Sequence, residues 1–297
     1  MSNGFKTAVL LGFLGALFMA IGLALGGSSG LVIGFAIGLL FCGGTYWFSD
    51  KLAIASARAK PVTQEENPLL YAIVGDLVQR AQIPMPRIYV SPEQQPNAFA
   101  TGRNPGHAVV CVTQGILDTL PPDELKGVLA HELSHVKHRD ILIGSVAAAF
   151  AMAIMLIVRF AFWASLFGGR DNEGPLGAIG GLAALLLAPL AAGLIQMSIS
   201  RSREFDADAG GAKLLGTGEP LARALEKIDV YAKRIPMQKV SPAQESAYII
   251  NPFQQPQSQL QGGPPRGGRQ PQRQMRNYFS SHPPTEERIA RLRAMQF

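Results

Sequence analysis

No side chain between Thr7 and Ser49 carries a charge, and a second uncharged stretch runs from Gly174 to Ser200. Soluble domains rarely contain such stretches. A bilayer core of about 30 Å demands them, because charge in hydrocarbon is costly. The first stretch divides into two apolar segments, Thr7 to Leu25 and Leu31 to Trp47, joined by Gly26-Gly27-Ser28-Ser29-Gly30. Each is long enough to cross as a helix, and so short a linker makes the pair a hairpin. A secretory signal is the rival reading, but the apolar run is too long for one and a second span follows at once. Two more apolar segments, Ile141 to Phe162 and Leu176 to Met197, flank a loop holding Arg170, Asp171 and Glu173. The expectation is four transmembrane helices, at 7–25, 31–47, 141–162 and 176–197.

Orientation follows from the basic residues. In a four-span arrangement Lys6, Lys51, Arg58, Lys60, Lys137, Arg139, Arg201 and Arg203 share one side, against Arg170 and the span-end Arg159. Positive residues collect in the cytoplasm. Both termini and the polar regions are therefore predicted cytoplasmic.

The polar regions read as mixed α and β. Glu65 to Gln82 has the period of an amphipathic helix, with Leu69, Leu70, Ile73, Leu77 and Val78 on one side. Strands are predicted at Arg87 to Val90, Asn97 to Thr101 and His107 to Val112, separated by proline- and glycine-rich turns. The next helix opens at Pro121-Pro122-Asp123-Glu124, where proline and acids suit a first turn. Beyond the last span come a charged helix, Ser200 to Leu215, and a mixed region at Val230 to Ala247. Asn251 to Arg276 is rich in glutamine, proline, glycine and arginine and reads as disordered. A short last helix, Glu286 to Met295, is capped by Thr285.

Inside the helix that opens at Pro121 stands His131-Glu132-Leu133-Ser134-His135. Residues four apart share a helix face, so both imidazoles can reach one metal ion, and Glu132 is placed to take a proton from water. The five-residue pattern turns up in unrelated proteins, so its weight comes from context. A catalytic zinc site takes three protein ligands and keeps one position open. In one class the third ligand is a histidine six residues on; that place holds Ile141, which excludes that class. Another class takes a glutamate from a distant helix, with an acid four residues later. Arg203-Glu204-Phe205-Asp206-Ala207-Asp208 fits it. Glu204 is then the third ligand, and Asp208, on the same face, accepts a hydrogen bond from a ligand imidazole and fixes its tautomer. Asp206 points elsewhere as a solvated charge. His138 and His107 are read as surface histidines without chemistry.

The two cysteines, Cys42 and Cys111, form no Cys-x-x-Cys pair, which disfavours thiolate zinc sites and a disulfide framework. Of the net charge of +6, nearly all sits in Gln261 to Phe297, with seven arginines against two glutamates. No recognition module accompanies this tail, so nucleic acid is not an expected partner.

At these residues the chain resembles the HtpX-type membrane metallopeptidases, relatives of the CAAX prenyl proteases. The likeness runs over nearly the whole chain: hairpin, zinc helix, second hairpin, glutamate helix. It implies one Zn²⁺ per chain on His131, His135 and Glu204, with Glu132 as general base. Asn97-Ala98-Phe99-Ala100 resembles the edge strand that binds substrate in this group by strand addition. Ser281 to Arg288 resembles the His-Pro-Pro segment of the family, in which His282, with Arg288 as a weaker candidate, would hold the oxyanion or position the site. The insert before His282 departs from the compact family core. The resemblance implies a multi-pass protein of the bacterial inner membrane that removes misfolded or damaged membrane proteins and loosely folded cytoplasmic ones under stress. Its partners would be those substrates, the lipid bilayer and other membrane proteases.

The expected fold class is thus α+β, mostly α: an integral membrane protein with a cytoplasmic, gluzincin-like peptidase domain containing a small β-sheet. The expected divisions are a transmembrane hairpin at 1–49, peptidase parts at 50–140 and 199–250, a second hairpin at 141–198, an insert at 251–277 and a closing segment at 278–297. A prenyl-protein peptidase is the competing enzyme; it needs a large membrane chamber, usually built from more than four spans. A non-catalytic zinc scaffold is disfavoured by Glu132, for which a purely structural site has no use. A transporter is disfavoured because no span carries paired charges.

Overall fold

The computed structural model describes residues 3–142, 201–234 and 283–297. The chain divides into two compact units, Met1–Ser49 with Ile143–Ser198 and Asp50–Leu142 with Ile199–Phe297.

Helix α1 (Asn3–Ser56), whose residues up to Ser49 belong to the first unit, is broken at Gly26 and Gly27. Gly27 has φ +59° and ψ −142°, a conformation open only to glycine. The two arms fold back on each other through small residues. A Cβ on Gly34 would lie 2.3 Å from the Phe18 carbonyl oxygen, and one on Gly30 would lie 2.0 Å from that of Gly22. Glycines four apart thus let the backbones touch. The Phe18 and Phe41 rings close the contact at 5.5 Å. The turn is shorter than the five-residue linker read from sequence, because Gly30 already packs against Gly22. Val32, Ile33, Phe35, Leu39 and Leu40 remain exposed. Among the described residues one helix, Gly26–Phe48, is long and apolar enough to cross a membrane, with mean hydropathy 1.8. The other arm, expected as a span over 7–25, contains a shorter apolar helix, Leu11–Ala20. The expected spans at 141–162 and 176–197 and the insert at 251–277 lie outside the described residues, save Ile141 and Leu142.

The second unit is mostly helical with a small mixed sheet. Its strands are β1 (Lys60–Pro61), β2 (Arg87–Ser91), β3 (Ala98–Thr101) and β4 (Val109–Thr113), in spatial order β1-β2-β4-β3. β2 and β4 run parallel, with Ile88 opposite Val110; β3 is antiparallel to β4, with Phe99 opposite Cys111. β4 is buried throughout, as a central strand of apolar residues should be. β3 forms one edge. His107 falls in a 3-10 turn (Pro105–His107) rather than in β4, its ring bonded to the Asn104 side chain at 3.0 Å.

Helix α2 (Pro68–Ala81) starts three residues later than the periodicity suggested, because the Asn67 side chain caps it by accepting from the Leu70 N–H. Leu69, in the first turn, is exposed, and Val74 and Ala81 complete the buried face. Helices α3 (Gln114–Thr119), α4 (Pro122–Lys137), α5 (Arg201–Leu215), α6 (Glu219–Arg234) and α7 (Thr285–Ala294) follow. Thr285 lies within α7 and not at its cap, which is Pro284, with no side-chain bond. α4 is the hub. It packs on α2 and β3 and against α5 and α6. Two of these contacts are backbone to backbone: a Cβ on Gly127 would lie 2.5 Å from the Leu221 nitrogen, and one on Gly211 would lie 2.8 Å from the His131 nitrogen.

Candidate metal centre

α4 turns His131, Glu132 and His135 toward Glu204 of α5, Ala100 of β3 and Arg288 of α7. The Nε2 atoms of His131 and His135 are 3.3 Å apart. Glu204, on the first turn of α5, brings Oε2 to 3.8 Å from His131 Nε2 and Oε1 to 3.6 Å from His135 Nε2. A tetrahedral ion with bonds of about 2.0–2.2 Å separates its ligand atoms by roughly 3.3–3.6 Å. Two neutral imidazoles and a carboxylate at this spacing fit a divalent transition metal. Among the described residues, His131, His135 and Glu204 are the group whose ligand atoms converge this way, all within 4.8 Å of one another.

Each imidazole is braced from behind by an aspartate. His131 Nδ1 lies 2.9 Å from Asp208 Oδ1. Asp208 stands one helical turn beyond Glu204, and Gly211, a further turn on, lets α5 approach α4 closely enough for both carboxylates to arrive. Burial alone would raise the Asp208 carboxyl, but the charge of Arg288 and hydrogen bonds from His131 and Arg288 prevail and hold it at about 2. His135 Nδ1 lies 3.4 Å from Asp140 Oδ2. Asp140 reaches it because Arg139 adopts a left-handed conformation, φ 59°, which turns the chain back so that the Asp140 N–H donates to the His135 carbonyl. Burial opposes a charge on His135, yet the Asp140 bond and the charges of Glu204 and Glu132 outweigh it and raise its pKa. Asp140 was not singled out from the sequence. Its one signal is a carboxylate just past the end of the helix that carries His131 and His135, and that becomes meaningful only with the turn at Arg139.

Glu132 is buried, and burial raises its carboxyl above the ordinary range despite the nearby imidazoles. Its Oε2 accepts a hydrogen bond from the backbone N–H of Ala100, at 2.9 Å. The expected substrate strand is therefore next to the expected base. Asn97 itself faces inward: its N–H donates to Thr113 Oγ1 and its carbonyl accepts from the Thr113 N–H, each at 2.9 Å. Pairing in an antiparallel ladder alternates, so Phe99 and Thr101 turn to β4 while Ala98 and Ala100 turn to the open edge.

Arg288 is fully buried on the far side of the carboxylates. It donates through Nε to Asp208 Oδ2 at 2.9 Å and through Nη2 to Oδ1 at 2.7 Å, and its Nη1 is 3.7 Å from Glu204 Oε2. α7 is held for this task by Arg291 stacked on Phe205 at 3.8 Å and by Arg293 paired with Glu219 and Glu226. Arg203, next to Glu204, has both Nη atoms buried and without a hydrogen-bond partner among the described residues, and burial lowers its pKa. His138, His107 and Asp206 are exposed and outside the cluster. His282 lies outside the described residues.

The profile of peptidase family M48 matches residues 64–296. A protease HtpX homolog of Syntrophobacter fumaroxidans is 47% identical over 299 residues, spanning 99% of this chain and all of that protein. A protease HtpX homolog of Burkholderia multivorans is 48% identical over 300 residues, spanning 99% of this chain and 98% of its own. Among solved structures, the crystal structure of S. mikatae Ste24p matches with TM-score 0.49 and 20% identity, over 98% of this chain and 64% of that one.

Proposed function

The chain belongs to peptidase family M48 and is a membrane metallopeptidase, and from that premise we propose that it is a zinc endopeptidase of membrane-protein quality control. The observation that carries the reading is the convergence of His131 Nε2, His135 Nε2 and a Glu204 oxygen within 4.8 Å, beside a buried Glu132. His131, His135 and Glu204 would hold the ion, and Asp208 and Asp140 fix the two imidazoles in the tautomer that presents Nε2 to it. When bound, zinc supplies Lewis acidity: it polarises the scissile carbonyl and makes water acidic enough to be deprotonated near neutral pH.

The protein's own groups account for the rest. Glu132 takes the proton of the attacking water on its carboxylate and returns it to the leaving amine. A buried carboxyl with a raised pKa holds that proton better than an exposed one, which suits the second half of the task. The open edge of β3 binds an extended peptide through backbone groups, with Ala98 and Ala100 facing it and Phe99 on the opposite register. His282 would stabilise the oxyanion, by resemblance to the family. Arg288 serves to brace Asp208. Strand addition requires an unfolded segment, so the enzyme takes misfolded membrane proteins and loosely folded cytoplasmic chains and spares native ones. The protein is multi-pass in the bacterial inner membrane, with both termini and the site on the cytoplasmic side.

Purified protein should contain one zinc per chain and cleave casein. Glu132→Gln should keep the zinc and lose cleavage. Efficient cleavage by that variant would overturn the assignment of the base, and preference for a prenylated peptide over casein would overturn the substrate class.

A further inference from the structure

The Glu132 carboxylate has one hydrogen-bond donor among the described residues, and it is a backbone group: the N–H of Ala100, 2.9 Å from Oε2. That N–H points away from β4. The bonds between Asn97 and Thr113 fix the phase of the ladder, so the groups of Ala98 and Ala100 are the ones turned to the open edge. In an unmodified edge strand both residues would offer an N–H and a carbonyl to an incoming peptide. Here the second N–H is already taken by the base.

We propose that the Ala100 amide is a positioning group for Glu132 and is thereby withheld from the substrate. It pins Oε2, fixes the rotamer of a buried carboxylate that has no other hydrogen-bond donor among the described residues, and leaves Oε1 to receive the proton. It also sets the register of the bound peptide. Ala98 reads the substrate through both of its backbone groups, and Ala100 through its carbonyl alone. The substrate carbonyl that would face the Ala100 N–H in an unbroken ladder stays unpaired, and it stays unpaired beside the base. The edge strand that recognises the peptide thus also aims the group that cleaves it. The inference rests on the reading of Glu132 as the base.

The test is steady-state cleavage of a fluorogenic, unstructured casein-derived peptide by the zinc-loaded protein. Ala100→Pro removes the N–H, and because this N–H faces away from β4, the β3–β4 ladder survives, as it does for proline on edge strands generally. Ala100→Gly keeps the N–H and loses only the methyl group. A third variant carries the α-hydroxy analogue of alanine at position 100, which replaces N–H by an ester oxygen without a ring. A hydrogen bond to a charged group is at stake, so kcat of the proline and ester variants should fall about 10- to 100-fold below that of Ala100→Gly. KM and zinc content should stay within about twofold of the glycine variant. Equal kcat across the three variants would overturn the proposal, as would a loss confined to KM, which would give the N–H to the substrate. If the proline variant fails to fold, the ester variant decides. Cleavage by Glu132→Gln would sink the base assignment itself, and that result is read separately from every change at position 100.

Discussion

Arg288 grips Asp208 in a two-pronged bond, Nε to Oδ2 at 2.9 Å and Nη2 to Oδ1 at 2.7 Å, with both side chains almost wholly buried. The pair joins α7 to α5 and, through the Asp208–His131 contact, to α4. Arg288→Lys is expected to fail here, because an ammonium cannot reproduce a planar fork. Leaving Asp208 buried and half-paired should cost about 3–5 kcal/mol of stability. Loss of the brace on His131 should weaken metal binding about 10- to 100-fold. Urea unfolding and competition with a zinc chelator measure the two effects.

The same pair predicts an acid limb in the stability of the metal-free protein. Asp208 is held at about 2 in the folded state, against about 3.9 in an unfolded chain. A carboxyl lowered by folding contributes its full stability above the unfolded value and loses it as pH falls through the folded one. Roughly 2.5 kcal/mol should therefore disappear between about pH 5 and pH 2. Denaturation of the metal-free protein across that range should show the slope, and Asp208→Asn should flatten it. An unchanged slope in the variant would assign the effect to other carboxylates.

His131, Glu132 and His135 were legible in the sequence because their relation is a property of one helix, and four-residue spacing is enough to establish it. Glu204 and Asp208 were legible for the same reason once a second helix was recognised. Asp140 was not, because its role depends on Arg139 adopting a positive φ, which its residue type does not announce. The Ala100 N–H was not, because a backbone donor has no letter. α6 was missed, although Leu221, Leu225 and Ile228 recur at helical spacing and, with Ala222 and Ala224, form its buried face. The hairpin was legible from hydropathy. Its tight turn became clear only from the approach of Gly22 to Gly30.

Asp140 should matter nearly as much as Asp208 for the metal. Its bond to His135 favours the charged imidazole in the metal-free protein, and that proton must leave before the ring can bind an ion. Zinc affinity should accordingly rise with pH to a point above the ordinary imidazole value of about 6.5. Asp140→Asn should move the midpoint of that rise to lower pH and reduce the plateau affinity about 10- to 100-fold. Chelator competition from pH 5.5 to 8.5 reads both. A midpoint that does not move would show that Asp140 does not govern His135.

The proposed orientation can be tested at the hairpin. With Cys42 and Cys111 exchanged for alanine, a membrane-impermeant maleimide should label Ser28→Cys from outside right-side-out spheroplasts and should miss Ser56→Cys. Inverted vesicles should give the opposite pattern. Ser28 follows the break at Gly26 and Gly27, and Ser56 ends α1, so the two report on opposite ends of one arm. Labelling of both from the same face would rule out a membrane-crossing arm.

Two glycines in helices separate close packing from propensity. Gly75 in α2 has open space where a Cβ would stand, so Gly75→Ala should stabilise the protein by about 0.5–1 kcal/mol through backbone entropy alone. Gly211 in α5 has none: an added Cβ would sit 2.8 Å from the His131 nitrogen and 3.0 Å from the Ala130 carbonyl carbon. The obstacle is the backbone of α4, which cannot swing aside as a flexible side chain would. Gly211→Ala should therefore wedge α5 off α4, costing about 1–3 kcal/mol. It should also draw Glu204 and Asp208 back from the imidazoles, so metal affinity falls together with stability. Thermal unfolding and zinc titration of the two variants should move in opposite directions for stability and diverge for the metal, with Gly75→Ala binding zinc normally. If Gly211→Ala bound zinc as tightly as the parent protein, the close approach of the two helices would not be what delivers the third ligand.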